Sequence, residues 1–424
     1  MGMIITFVIA LVLGVPIAFI LGLVAFIGLF QMDTNLLQAI PQRVFATANS
    51  SSLMAIPLFI VFGELLEKSG DIKRLADFSR ALVGRIKGGL AYTTLLLGFF
   101  LGGPLGSANG EAALLGSTMF PELVKDGYSD EFSANYIAAI SVIGPLIPPG
   151  ILFVIYGVAS NVSIAELFMA GVMPGIYITI ALGIVVFLKG RKSNWPTTEW
   201  QGWKHLLNSL LKASFSLFIP IFTILIIMFG VATPTESAAV ASILTLVVGM
   251  FVYRKIKVKD LPPLLLKSAV MSGAILAIAS MGGVLSWTIA MDQIPQKIAT
   301  AVIALSGNKY LILLIIQVLL FIVGMIMDAS PAIMILVPVL LPIIKLYGFD
   351  AIHFGMLMCF NLTIGLLTPP VGTVLYTTSM VTGVSAGRMV KSVWPWVLVC
   401  MAVLLLVAYI PDSVMWLPRL MKKY

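Results

Sequence analysis

Apolar residues fill this chain in long runs, and the polar residues sit between the runs in short stretches. A first run, Met3–Phe30, is long enough to span a bilayer, with a mild interruption at Gly14-Val15-Pro16. Leu53–Leu66 predicts a shorter second span with Pro57 and Glu64 inside it. From Ile72 to Lys87 the pattern changes: Leu75, Phe78 and Leu82 recur at helical spacing among Lys73, Arg74, Arg80, Arg85 and Lys87, as in a helix lying on a membrane surface. Leu90–Leu101 and Ala112–Val124 are apolar but short, and Gly102–Gly110 separates them. Two half-length helices around a Gly-rich tip predict a re-entrant hairpin over 90–124. Phe132–Ser160 predicts a span broken at Pro145 and at Pro148-Pro149-Gly150, and Ile164–Leu188 a further span.

The second half repeats this plan. A loop with Trp195, Trp200 and Trp203 among basic residues reads as interfacial. Phe215–Val231 and Glu236–Tyr253 flank Thr233-Pro234-Thr235, and Ala269–Ala290 spans again. Ile294–Ala304 predicts a second surface helix. Tyr310–Met327 and Ile333–Leu346 predict a second hairpin over 310–346, with Asp328-Ala329-Ser330-Pro331 at its tip. Phe354–Met380 is a span broken at Thr368-Pro369-Pro370, and Met389–Ile410 closes the membrane part. Displacing the sequence by 221 positions makes the correspondence explicit. Gly103 falls on Gly324, Pro121 on Pro342, Gly144 on Gly365, Pro148-Pro149 on Pro369-Pro370 and Pro174 on Pro395, without a gap. Glycine and proline punctuate the backbone, so a shared spacing of them means a shared path. The organisation read from this is repeat one over 1–188, a connecting loop and extra span over 189–231, repeat two over 232–411, and a tail over 412–424.

Composition fits this reading and no soluble one. The chain is 60% hydrophobic and 10% charged, with mean hydropathy +1.07, against roughly 25% charge in soluble domains. The runs are too long for barrel strands, so the expected class is an all-α polytopic membrane protein. No small-residue cleavage site follows the first run, so no cleavable signal peptide is expected. Two cysteines and two histidines suggest neither a disulfide framework nor a zinc centre. The net charge of +8 belongs to the loops and gives topology, not nucleic-acid binding. The extra span Phe215–Val231 starts the second copy on the opposite side, which makes the repeats inverted. With the N-terminus inside, only Arg43, Lys297, Lys309, Lys345, Arg419, Lys422 and Lys423 lie outside, and the other 19 of 26 Lys and Arg residues lie inside. This orientation follows the positive-inside rule, with a cytoplasmic N-terminus and a periplasmic C-terminus.

Inverted repeats with discontinuous helices place binding sites near the membrane midplane. A helix that stops there leaves carbonyls unpaired, and these can replace the hydration shell of Na⁺. Each repeat therefore offers one candidate cation site where its hairpin tip meets its break. The first comprises Gly103, Ser107, Asn109, Gly144, Pro145 and Pro148; the second comprises Gly324, Asp328, Ser330, Gly365, Thr368 and Thr373. Ser107 and Asp328 match under the displacement. Asn109 and Ser330 also suit the N-caps of the second hairpin helices, with Pro331 at a first-turn position. Asp328, flanked by apolar residues at membrane depth, points to function. Thr233–Glu236 and Ser163–Glu166 fit capping boxes, and Thr235, Glu236 and Ser163 join Ser107 and Asp328 as candidate substrate contacts. Glu64 and Glu111 are weaker candidates, the latter favoured at a helix start by the dipole alone. No phosphate-binding Gly-x-x-x-x-Gly-Lys-Ser/Thr motif is present, which leaves an ion gradient as the energy source.

Gly-Pro-Leu-Ile-Pro-Pro-Gly (Gly144–Gly150), Leu-Phe-Met-Ala-Gly-Val-Met-Pro-Gly (Leu167–Gly175), Ala-Thr-Pro-Thr-Glu (Ala232–Glu236) and Ile-Gly-Leu-Leu-Thr-Pro-Pro-Val-Gly (Ile364–Gly372) resemble the large membrane subunit of TRAP transporters, members of the wider ion-transporter superfamily. The resemblance covers nearly the whole chain. It implies a small membrane subunit (Q), a periplasmic substrate-binding protein (P), a bacterial inner-membrane location, and Na⁺-driven uptake of an organic acid such as sialic acid or a C4-dicarboxylate. It implies an elevator in which hairpins and broken spans move against a scaffold of the other spans and surface helices, and no cofactor beyond the coupling ion. Where many relatives carry a Ser-Gly-Ser-type tip, this chain has Gly106-Ser107-Ala108-Asn109-Gly110. Two other classes compete. A self-sufficient symporter of the same superfamily would need no binding protein. An intramembrane enzyme would need a second catalytic acid beside Asp328, and none is evident.

Overall fold

The structure, a computed structural model, describes residues 2–193, 195–197, 200–305 and 307–421. Lys422 and Lys423, two of the cations assigned outside, fall beyond the described residues. All regular elements among the described residues are helical. Six helical stretches are long and apolar enough to cross a membrane, and a pair bent by 53° makes a seventh.

The first apolar run departs from expectation. α1 (Gly2–Val12) and α2 (Ile17–Met32) are separate helices. Gly14 adopts a left-handed φ of 72° between them, and Pro16 has no N–H to continue the ladder. The chain folds back, bringing Met3 against Gly28 and Gln31 against Gly2. α1 is only about 16 Å long, against roughly 30 Å of bilayer hydrocarbon. Residues 3–30 thus form an antiparallel pair and not the single expected span, and the N-terminus lies at the same end as Asp33.

The next crossing is also composite. α3 (Ala39–Ala48) packs beside the C-terminal half of α14 (Leu261–Met291), with Thr47 against Gly283. α4 (Ala55–Lys68) runs antiparallel along the N-terminal half of α14, tied by Glu64–Lys267 at 2.8 Å and Lys68–Asp260 at 3.5 Å. The expected span 53–66 is therefore the lower part of a two-piece element.

Beyond it the elements recur in order. α5 (Asp71–Val83) is the amphipathic helix, burying Leu75 and Phe78. α6 (Gly89–Leu105) turns at Gly106 into α7 (Ala108–Thr118) and α8 (Phe120–Lys125). Gly98 of α6 faces Glu111 and Leu115 of α7, so the two run antiparallel. α9 (Asp130–Ile140) and α10 (Ile151–Ser160) are separated by the irregular stretch 141–150, and α11 (Ile164–Lys192) follows. After α12 (Gly202–Met228) and α13 (Pro234–Val247), which a π turn extends through Val252, and then α14, the second series begins. It comprises α15 (Ile294–Leu305), α16 (Lys309–Ile326), α17 (Ala329–Leu346), α18 (Ala351–Gly365), α19 (Thr373–Thr382), α20 (Ala386–Ser392) and α21 (Trp394–Tyr409). These match α5 through α11 under the displacement of 221 residues, except that α17 is continuous where α7 and α8 are kinked, and α20–α21 is bent where α11 is straight. A terminal helix, α22 (Asp412–Met421), packs on α11.

Packing gathers two sets of helices, which meet where α17 lies on α14 and α6 on α5. α2, α3, α4 and α13 surround α14 or each other, with α12 joining α13 and α5. α18 packs with α10, α11, α16 and α21, while α19 packs with α7 and α9. The full-length spans α11 and α21 therefore lie chiefly with the broken helices, where a scaffold of all remaining spans was expected. Phe19, Phe187, Phe218 and Ile243 are among many exposed apolar side chains, as suits a surface facing lipid.

Candidate functional site

Glycine lets each hairpin reach its break. A Cβ on Gly103 would lie 2.2 Å from the Pro148 carbonyl oxygen, and one on Gly102 would lie 2.9 Å from Gly144 Cα. In the second repeat a Cβ on Gly365 would lie 2.5 Å from the Gly324 carbonyl carbon. No side chain fits between these backbones. The second tip is also tied by hydrogen bonding, since Val371 N–H donates to Met325 O at 3.1 Å. Both breaks carry a cis Pro-Pro bond, at Pro148-Pro149 and Pro369-Pro370.

Backbone acceptors are left over at both breaks. Among the described residues, the carbonyls of Gly144, Pro145, Leu146, Ile147, Pro148 and Pro149 accept no backbone hydrogen bond, nor do those of Thr368, Pro369 and Pro370. The prolines explain much of this, because they remove donors from the ladder just where the chain is buried. Such carbonyls are hard oxygen ligands suited to a small cation.

The tip side chains divide their work differently from expectation. Ser107 is the N-cap of α7, accepting from Gly110 N at 3.3 Å. Asp328 is the N-cap of α17, accepting from Ser330 N at 3.2 Å. The capping positions are thus Ser107 and Asp328, two residues before the expected Asn109 and Ser330, and they are the pair related by the repeat. Freed from capping, Asn109 reaches the other repeat. Its Nδ2 donates to Thr373 Oγ1 at 3.3 Å, and its Oδ1 accepts from Thr377 Oγ1 at 3.4 Å. Thr377 joins the site unforeseen; its only signal was one helical turn of spacing from Thr373. Thr368 is fully buried and donates to Gly365 O at 2.8 Å, so its hydroxyl braces the break.

Other candidates are not gathered here. Thr233 and Glu236 form a complete capping box at the start of α13, and Glu236 is exposed. Thr235 Oγ1 donates to Ser51 O at 3.0 Å, pinning α13 to the segment before α4. Ser163 caps α11 by accepting from Glu166 N at 3.2 Å. Glu64 pairs with Lys267. Glu111, in contrast, is fully buried beside the first break, and neither carboxylate oxygen has a side-chain hydrogen-bond partner among the described residues. Its Oε1 lies against Gly98 and its Oε2 against Gly144. Among the described residues no three His, Cys, Asp or Glu side chains cluster as a metal site.

Residues 4–413 match the family described as "Tripartite ATP-independent periplasmic transporter, DctM component". The chain belongs to this family. It is 34% identical over 412 residues to the sialic acid TRAP transporter large permease protein SiaM of Vibrio cholerae, covering 97% of this chain and 96% of that one. It is 33% identical over 399 residues to the C4-dicarboxylate TRAP transporter large permease protein DctM of Pseudomonas aeruginosa, covering 94% and 93%. The isethionate TRAP transporter permease protein DctMQ of Oleidesulfovibrio alaskensis is 35% identical over 406 residues, covering 96% of this chain and 64% of that longer one. The Alcanivorax borkumensis YdaH transporter has the same fold, with TM-score 0.63 at 14% identity over 91% of this chain and 90% of that one. The chain is thus a TRAP large permease, an integral inner-membrane transport protein and not an enzyme.

Proposed function

We propose that this permease imports an anionic organic acid, driven by Na⁺, by an elevator movement of the hairpins and broken helices. The observation that carries the reading is the pairing, in both repeats, of a hairpin tip with a break in which at least three successive carbonyls accept no backbone hydrogen bond among the described residues. Na⁺ favours hard oxygen ligands, and each junction offers carbonyls from the break together with Ser107 or Asp328 from the tip. Asn109, Thr373 and Thr377 lie where the two repeats meet, which suits them to contact the transported acid. The two packing groups supply a moving body and a scaffold, with α11 and α21 moving.

The substrate would arrive on a periplasmic binding protein, and a small membrane subunit would brace the scaffold. The joined DctMQ relative, longer than this chain, favours that second partner. Sialic acid and C4-dicarboxylates remain the favoured substrate classes, since relatives named for them match almost end to end. The antiparallel course of α4 and α14, related by the displacement, supports inverted repeats. No Lys or Arg precedes Arg43, so the fold-back of α1 leaves the charge count unchanged while moving the N-terminus to the periplasmic side.

Reconstitution tests the reading. Proteoliposomes holding this chain and the small subunit should take up the acid only with an inward Na⁺ gradient and loaded binding protein. Uptake of free acid by this chain alone would refute the tripartite reading, and uptake indifferent to Na⁺ would refute the coupling.

A further inference from the structure

A basic groove that shares no lining residue with either break lies between amphipathic α5 and the first turns of α12. It encloses about 430 Å³ and is lined by Arg74, Arg80, Arg85, His205 and Lys212, with Trp200 at its side. Not all of this charge is free. Arg74 stands 3.6 Å from Asp71 and its guanidinium lies 3.4 Å from the Tyr253 ring centre. Arg80 pairs with Glu122 at 2.6 Å, and Asp77 also lines the groove. Arg85 and Lys212 have no ion-pair partner among the described residues. Arg85 is held instead on the face of Trp200, 4.9 Å from the ring centre, which fixes its direction without neutralising it.

The surroundings are those of a bilayer surface. Trp200 and Trp203 meet edge-on at 5.7 Å, and Trp203 is 78% exposed. Beside the groove on α12 Leu207 and Leu211, and beyond it Phe218 and Ile221, are each more than half exposed. α12 has 27 residues, so its first turns extend past the hydrocarbon layer while the rest lies within it. An anion in the groove would therefore sit directly above an apolar strip. A soluble anion would use only the upper half of this arrangement, whereas a molecule with a phosphodiester and two acyl chains would use both.

We propose that this groove seats the headgroup of an anionic phospholipid. The phosphodiester lies between Arg85 and Lys212, Asn208 and Ser209 offer hydrogen bonds, and the acyl chains follow the exposed face of α12. The site holds α5 to α12, on the Lys- and Arg-rich face that the proposed orientation makes cytoplasmic. Its ligand does not depend on which acid is transported.

The assembled transporter, with its small subunit, provides the test. Native mass spectrometry should find phosphatidylglycerol retained through delipidation, and titrated phosphatidylglycerol should raise the unfolding temperature at about one-tenth the concentration that phosphatidylethanolamine requires, given the Arg85 and Lys212 cations at the headgroup. Arg85→Gln with Lys212→Gln should abolish that roughly tenfold preference while Na⁺-driven uptake persists, and Lys345→Gln should not. Equal retention of the two lipids, or an unchanged preference in the double variant, overturns the proposal. So does reproduction of the thermal shift by inorganic phosphate alone, which would make the groove a free-anion site. Absence of retained lipid from the assembled complex would make it a subunit interface instead.

Discussion

Replacing Asp328 by Asn and, separately, by Ala divides its helix cap from the cation role proposed for it. As the N-cap of α17, Asp328 accepts from Ser330 N, and Asn caps helices about as well as Asp. Asp328→Asn should therefore cost at most about 0.5 kcal/mol, from losing a negative charge at a helix N-terminus. Asp328→Ala removes the cap as well and should cost about 1 kcal/mol more. The ion responds to charge, not to capping. Two unit charges about 4 Å apart attract by roughly 4 kcal/mol at an effective dielectric near 20. Desolvation offsets part of this, but about 1.4 kcal/mol is enough for a tenfold change. Both variants should then raise the Na⁺ concentration for half-maximal uptake by about tenfold or more, while only Ala lowers the unfolding temperature appreciably. Initial uptake rates against external Na⁺, beside thermal unfolding of the same preparations, read the two effects independently. An Asn variant with wild-type Na⁺ activation would reduce Asp328 to a helix cap. The matched Ser107→Ala has no charge to lose, so it should cost about 1 kcal/mol of stability with a smaller effect on Na⁺.

Other perturbations probe the frame. Gly365→Ala would place a Cβ 2.5 Å from the Gly324 backbone, which has no rotamer to yield, and should cost about 1–3 kcal/mol in thermal unfolding; Gly183→Ala, with its nearest neighbour at 3.6 Å, is the control. Asn109→Ala severs α7 from Thr373 and Thr377 and should raise KM for the acid by several-fold with little loss of folded protein, as uptake kinetics would show. Cysteines placed at Met3 and Asn35 should be labelled from one face of the membrane, and labelling from opposite faces would restore the single first span. Burial pushes the Asp71 carboxyl above its ordinary range despite hydrogen bonds from Ser216 and Ser69 and the nearby Arg74. The folded form therefore binds a proton more readily than the unfolded one. Its contribution is full below the ordinary carboxylate value and is lost as pH rises through the raised value, so Asp71→Asn should flatten the dependence of unfolding temperature on pH in that window.

How far the sequence could be read depends on which forces act locally. Gly and Pro act on their own backbone, so the hairpins, the breaks and the 221-residue correspondence were readable from spacing alone. The capping box at Thr233–Glu236 was readable for the same reason, since its donors and acceptors lie within one turn. The tip caps were missed by two residues because Ser107, Asn109, Asp328 and Ser330 all suit the role, and only the tertiary position of Asn109 against α19 decides among them. Met3–Phe30 misled because hydropathy does not register direction: an apolar run that reverses at Gly14 has the same composition as one that crosses. The placement of α11 and α21 beside the broken helices depends on long-range packing, and no local pattern carries it. Glu111 was discounted because the helix dipole accounts for an acid at a helix start, whereas its burial without a side-chain partner appears only once α6, α7 and the first break are assembled.

That assembly also sharpens the difference between the repeats. Under the same displacement Ser107 matches Asp328, and Glu111 matches Ala332. Each hairpin thus carries one acid within about a turn of its tip, but on different parts of a shared frame. In the second repeat the acid caps the tip itself. In the first it lies one turn deeper, packed on Gly98 and Gly144, while the tip has a neutral hydroxyl. The two proposed cation junctions, whose backbones correspond under the displacement, would therefore present unequal fields. The second would hold its ion by charge as well as by coordination, and the first chiefly by coordination. Ordered binding follows from that inequality: the second junction should fill at lower Na⁺ concentration, and removing the Asp328 charge should bring the two closer to equal.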